Sequence, residues 1–250
     1  MPPRFEVIGI EGLPEITKGD DLAPLIADAA ARQRTPLAAG DLLVVSQKVI
    51  SKSEGRIVRL SGIEPSARAR ALADEIGRDA RLVEVILGET RRIVRKDKGV
   101  LIVETHHGWI CANAGVDQSN VDADTACLLP EDADRSARAL RDRLRTLTGH
   151  DLGVIVADTF GRPWREGLTN VAVGVAGFQP LTSYLGQCDP AGHVLQATVL
   201  ALADELAGAA EPVMGKLSRI PVAIVRGAVW ERGEADSRAL LRDPARDLFR

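Results

Sequence analysis

The chain has 250 residues, 45% hydrophobic and 27% charged, with a formal net charge of −3. That is the balance of an ordinary globular protein with a real core, in one large domain or two small ones, and its slight acidity argues against a general nucleic-acid binder. Aromatic residues, at 3%, are too few for single-strand stacking platforms. No apolar run is long enough to span a membrane, and the N-terminus lacks a signal-peptide core. Cys111, Cys127 and Cys188 form no Cys-x-x-Cys pair, which points to buried free thiols in a reducing cytoplasm rather than disulfides or a standard zinc site.

In chain order, Phe5 to Ile10 reads as a short strand and Gly12 to Ile16 as a tight connection. Asp20 and Asp21 place acids at the start of an apolar-periodic helix from Leu22 to about Ala31, where the helix dipole favours them. Gly40-Asp41 precedes a buried-strand candidate, Leu42 to Val45, and a basic polar segment follows from Ser46 to Gly55. Ser66 to Gly77 and Asp79 to Arg92 read as amphipathic helices with solvated arginines. Pro130 fits the first turn of a long helix reaching Leu147, with Gly149 as its stop. Thr198 to Ala210 is predicted helical and Val222 to Val225 a last buried strand. Glu231 to Arg250 is predicted as a surface helix or a tail packed by Leu240, Leu241 and Phe249.

Two segments carry the chemistry. Val154 to Ala157 reads as a buried strand ending in Asp158-Thr159, after which Gly161 and Pro163 break the chain and Arg162 and Arg165 add fixed positive charge. A carboxylate at a strand tip suits a hard cation, and guanidinium groups suit the phosphate or carboxylate it polarises. A capped turn with solvated arginines would use the same residue types. Gly115 to Asn120 follows the apolar run Val100 to Val103 and sets Asp117 among small and amide residues. These suit magnesium or manganese, though an Asx-turn would need them too. His106 and His107 are adjacent and would face opposite ways on a strand, so they are not expected to share a metal. Lys48 and Lys52, four apart, could meet a polyanion or form a solvated basic turn. Gly215-Lys216 lacks the full phosphate-loop pattern, and no Gly-x-Gly-x-x-Gly occurs, so a nucleotide would bind outside the P-loop and Rossmann classes.

Seven fragments together resemble the coenzyme F420:L-glutamate ligase family in order and spacing. They are Gly12-Leu-Pro-Glu-Ile, Gly19-Asp-Asp-Leu, Ser46 to Gly55, Ala114-Gly-Val-Asp-Gln-Ser-Asn-Val, Ala157 to Arg165, Met214-Gly-Lys and Pro221 to Gly227. The resemblance implies a mixed α+β fold particular to that family, with residues 1–250 as one catalytic unit of two intertwined lobes and no C-terminal reductase-like domain. It implies a homodimer using GTP with two magnesium or manganese ions, potassium being a further candidate. The implied reaction adds L-glutamate to the lactyl carboxylate of coenzyme F420-0, then extends a γ-linked tail, releasing GDP and phosphate through an acyl phosphate. By motif position, Asp117, Asp158 and Thr159 are the implied metal ligands. Leu13, Pro14, Glu15, Ile16, Ser46, Gln47, Lys52, Asn120, Met214, Gly215 and Lys216 are the implied nucleotide contacts. Arg162 and Arg165 are assigned to the acidic tail or the transferred phosphate. The competing readings are a metal- and nucleotide-dependent ligase or phosphotransferase acting on another acidic acceptor, and a protein that holds nucleotide without turnover.

Overall fold

The computed structural model describes residues 2–247 and has a mixed α+β fold. Its centre is a sheet with strand order β1-β12-β2-β8-β9. These strands are β1 (Glu6–Gly9), β2 (Leu42–Ser46), β8 (Gly153–Arg162), β9 (Arg165–Ala176) and β12 (Val222–Arg226). Only β2 and β8 run parallel; the other pairs are antiparallel. Leu42 to Val45, Val154 to Ala157 and Val222 to Val225 are buried on both faces, which is why they read as unbroken apolar runs rather than alternating ones.

Alternate residues along these strands feed two cores. Leu43, Val45, Val154, Val156 and Ile224 pack against α1 (Leu22–Arg32) and α5 (Ala133–Thr148). Leu42, Val44, Ile155, Ala157 and Val225 pack against α6 (Leu202–Met214). A third core joins α3 (Ala67–Ile76) and α4 (Ala80–Gly88) to the sheet of β4 (Thr90–Asp97), β5 (Val100–Thr105) and β6 (Ile110–Ala112). Ala126 adds to it from β7 (Thr125–Cys127), which pairs with β3 (Ile57–Arg59).

The edge strand β9 is held by carboxylates from helices on both faces of the sheet. Asp134 Oδ1, in the first turn of α5, accepts from Val175 N at 2.8 Å, and Asp204 Oδ1, in the first turn of α6, accepts from Ala172 N at 2.9 Å. Asp134 also accepts from Ser237 N at 2.9 Å and from Ser237 Oγ at 2.8 Å, and both residues are buried. Gly174 allows this close approach, because a Cβ there would lie 2.5 Å from the Ala133 carbonyl. Edge donors that would otherwise recruit another strand are thereby satisfied within the chain.

Several predicted elements need correction. Ser46 to Gly55, read from sequence only as a basic polar segment, is helical: Gln47–Glu54 forms α2, capped by Ser46 and ended by Gly55 in a left-handed conformation. The helix predicted to Arg92 stops at Gly88, and the β-branched and basic residues after it form β4. Pro130 lies outside α5, whose N-cap is Asp132; Gly149 ends the helix as predicted. Val199–Leu200 is a short strand paired with Thr182–Ser183, so α6 starts at Leu202 rather than Thr198. The chain after Glu231 forms two 3-10 turns, Ser237–Leu240 and Pro244–Arg246, with Leu240 packed on the core beneath α6. Phe249 lies outside the described residues. Cys111 and Cys127 are buried free thiols, but Cys188 is exposed.

Candidate functional site

At Ser46 the chain leaves β2 and enters α2, while the neighbouring strand β8 continues. Ser46 pairs with Ala157, the last register position of the parallel pair. Strand β8 does not end at Asp158-Thr159, as the sequence suggested. It runs on to Arg162, and Pro163-Trp164 closes a hairpin with β9, Trp164 having φ +55°. From Asp158 onward, β8 therefore overhangs its parallel partner, and the overhang begins at the carboxyl ends of β2 and β8. Such ends are where open α/β sheets leave a crevice.

Side-chain alternation fixes where the two predicted ligands point. Val154 and Val156 face α1 and α5, so Asp158 emerges on that side and Thr159 on the side of α6. Thr159 Oγ1 donates to Asn170 Oδ1 at 2.8 Å and accepts from Lys216 Nζ. Asn170 Nδ2 in turn donates to Glu211 Oε2 at 2.8 Å, and Lys216 Nζ lies 3.2 Å from Glu211 Oε1. The two side chains thus sit on opposite faces of one strand rather than side by side.

Asp117 reaches the same region from the third core. Its backbone exchanges hydrogen bonds with Cys127, with N to O distances of 3.0 and 2.8 Å. Its carboxylate accepts from Lys48 Nζ at 2.6 Å, from Ser119 N at 2.8 Å and from Ser119 Oγ at 2.7 Å. Burial pushes the Asp117 carboxyl up, but these donors outweigh it and hold the group below its usual range. Asp158 goes the other way. Burial pushes it up to about 6, aided by the charge of Asp117 and opposed by the Thr159 amide, Lys48 and Lys216. The charge of Asp117 thus adds to burial in raising Asp158, and Lys48 and Lys216 offset part of it.

Among the described residues, no three His, Cys, Asp or Glu side chains meet as a metal cage. Magnesium does not need one: it binds through one or two carboxylates together with water and substrate phosphates. Asp117 and Asp158 fit that donor set. The buried thiols are no nucleophiles: burial first, then the Asp158 charge, pushes Cys111 up to about 12, and burial pushes Cys127 up to about 11.

The predicted nucleotide positions fall around this crevice with unequal exposure. Pro14 and Glu15 are exposed, and Glu15 Oε1 accepts from Lys52 Nζ on α2. Leu13 and Ile16 pack into the core of α1 and α5, and Gln47 is buried with its Oε1 accepting from Ser51 Oγ at 2.9 Å. Asn120 is exposed, with φ +54°. Met214 is buried beneath the central sheet, and Gly215 adopts φ 55°, ψ 170°, a backbone conformation restricted to glycine. Arg162 and Arg165 lie apart from the cluster, at the hairpin end, where Arg162 Nη2 donates to Glu166 O at 2.9 Å. Arg162 lies four positions beyond Asp158, about 13 Å along an extended strand.

Sequence reasoning missed Glu211, Asn170 and Ser119. Glu211 carried one signal: an acid in the last turn of a helix opposes the dipole, so something else must hold it. Asn170 lies on β9, which went unrecognised, and Ser119 looked like turn filler.

A sequence profile of the F420-0:Gamma-glutamyl ligase family matches residues 11–227. The chain is 44% identical to the Coenzyme F420:L-glutamate ligase of Methanothermobacter thermautotrophicus over 98% of this chain and 99% of that protein. It is 46% identical to the enzyme of that name from Methanopyrus kandleri, over 99% and 97% of the two chains. The corresponding Methanocaldococcus jannaschii protein is 41% identical over 99% and 97%. Among the described residues, no helix is long and apolar enough to cross a membrane. With a profile match over most of its length and relatives aligned almost end to end, the chain belongs to the F420-0:gamma-glutamyl ligase family.

Proposed function

We propose that this protein is a GTP-dependent ligase, acting in the cytoplasm as a homodimer, that joins L-glutamate to the lactyl carboxylate of coenzyme F420-0 and then extends a γ-linked glutamate tail. The observation that carries the reading is the convergence of Asp117 and Asp158 from two separate cores, with Lys48 against one of them. Family membership supplies the substrate class. The chemistry agrees with the residues. A carboxylate is a poor electrophile, and activating it by phosphoryl transfer needs charge neutralisation and alignment more than a strong base.

An acceptor carboxylate oxygen would attack the γ-phosphorus of GTP, breaking its bond to the bridging oxygen and releasing GDP. The glutamate amine would then attack the acyl carbon, phosphate would leave with the acyl carbon–oxygen bonding pair, and the amine proton would pass to water. Asp117 and Asp158 would hold magnesium or manganese, which supplies positive charge to the phosphates when bound. Thr159, on the opposite face, contributes through its contacts with Lys216 and Asn170. The α2 N-terminus, Ser46, Lys52 and Lys216 would meet the phosphates, with residues 13–16 and Asn120 beside them. Arg162 and Arg165, about 13 Å beyond Asp158, suit the far end of an anionic tail.

Mass spectrometry of purified protein with GTP, manganese, L-glutamate and F420-0 tests this. Product heavier by whole glutamyl units, formed only with GTP and metal, is expected. Metal-dependent GTP binding without such product would turn the assignment toward another acceptor. The Lys52→Ala variant is expected to lose GTP affinity more than acceptor affinity, and equal GTP affinity would remove Lys52 from the nucleotide site.

A further inference from the structure

Lys48 does more than pair with a carboxylate. Its Nζ lies 2.6 Å from Asp117 Oδ2, 2.8 Å from the Ser119 carbonyl oxygen and 2.8 Å from Ser119 Oγ. Three oxygens from one short loop surround one ammonium, and its side chain is only 16% exposed. Carboxylate, carbonyl and hydroxyl oxygens are the donors a hard cation takes. We infer that Lys48 is a built-in competitor for the divalent cation, filling the oxygen cage of Asp117 and Ser119 in the nucleotide-free protein and leaving it for phosphate when metal and nucleotide bind together. This rests on the proposed reading of Asp117 as a metal ligand.

The arrangement of α2 supplies the exchange. Lys52 lies one helical turn beyond Lys48, and its ammonium is held by Glu15, within the proposed nucleotide-binding segment. A polyanion arriving there gives both ammonium groups an alternative partner and frees Asp117. Metal alone offers no such partner: it would bring a second positive charge against an ammonium with nowhere to go. The free protein should therefore bind divalent metal weakly and bind the metal–nucleotide pair well, with each favouring the other by the same factor.

Lys216 is the natural control. It also lies close enough to Asp158 to favour its ionised form, but its ammonium contacts Thr159 and Glu211 rather than Asp117. Removing either lysine takes one positive charge from the region, and only removal of Lys48 opens the cage.

The test is Mn2+ titration of the full chain, followed by electron paramagnetic resonance of free Mn2+, with and without GTP. Wild type, Lys48→Met, Lys48→Gln and Lys216→Met are compared, each checked by thermal melting. Without GTP, both Lys48 variants are expected to bind Mn2+ at least about tenfold tighter than wild type, the scale on which a close charge shifts a neighbour's equilibrium. Lys216→Met, which removes the same charge without opening the cage, should gain clearly less than either Lys48 variant, and the GTP enhancement of Mn2+ binding should shrink in the Lys48 variants. Lys48 variants that gain nothing, or a Lys216→Met gain as large as theirs, would overturn the inference while leaving the ligase reading intact. A wild-type protein that takes up no Mn2+ even with GTP would remove the metal reading and this inference together.

Discussion

Asp158 separates stability from activity. Its carboxyl rises from the ordinary 3.8 to about 6 in the folded chain, burial being the main cause. The native state therefore holds this proton more tightly than the unfolded chain does. Its contribution to stability falls as pH rises between those values, and the cost is fully present above them. Asp158→Asn removes the titration. In chelator at pH 7.5 the variant is expected to be more stable than wild type by on the order of 1–3 kcal/mol, the gap closing near pH 4. Glutamate ligation should fall at least about 100-fold, the usual scale for removing an electrostatic stabiliser of a transition state. Thermal melts across pH, set beside the ligation assay, check both halves. A variant less stable at pH 7.5 would mean that the carboxylate is a structural partner rather than a ligand awaiting charge.

At the scale of elements, the edge strand β9 hangs on helix-borne carboxylates. Asp134→Ala strands the buried amides of Val175 and Ser237, while the Ser237 hydroxyl keeps Val173 O as an acceptor. Each orphaned group costs about 1–3 kcal/mol, so a total loss of roughly 2–6 kcal/mol is expected in urea unfolding. A loss below about 1 kcal/mol would show that water or local relaxation replaces those bonds. This is also the scale at which sequence was least legible. The strands at Leu42, Val154 and Val222 and the helices starting at Leu22 and Ala67 announced themselves through apolar runs and caps. Strand β9 did not: it opens with exposed residues, carries Gly167 and Gly174, and is interrupted by a register shift opposite Val156 and Ala157. Strand β4 is half basic, and its first three residues were absorbed into the preceding helix. Asp117 was picked out by its small and amide neighbours, and Asp158 by its place after a buried strand. That Asp158 and Thr159 face opposite ways was lost with the misplaced strand end, because alternation has meaning only while the strand continues.

For the whole molecule, the proposed site is a seam. Asp158 stands on the central sheet, whereas Asp117 is tied through Cys127 to the strands of the third core. A ligand gripping both carboxylates bridges the central sheet and the third core. Binding of Mn2+ with GTP at about 100 times its dissociation constant is expected to stabilise the fold by about 2.7 kcal/mol. Amide hydrogen exchange should slow in residues 113–127 as well as around Asp158. Protection confined to the central sheet would mean that Asp117 takes no part in the bound complex.

The Ser237 contact carries a consequence for trimming the chain. Its hydroxyl and amide close the Asp134 network, and Val173 O, 3.1 Å from its Oγ, is an alternative acceptor for the same proton. A stretch that looks like a disposable charged tail thus helps to close the buried hydrogen bonds between Asp134 and β9. Deletion back to Ala235 should expose the Asp134 carboxylate to water and make β9 a proteolysis-prone edge, and an unchanged limited trypsin digestion pattern would count against this role of Ser237. Engineered truncations and fusions of this protein should therefore stop beyond the Ser237 turn.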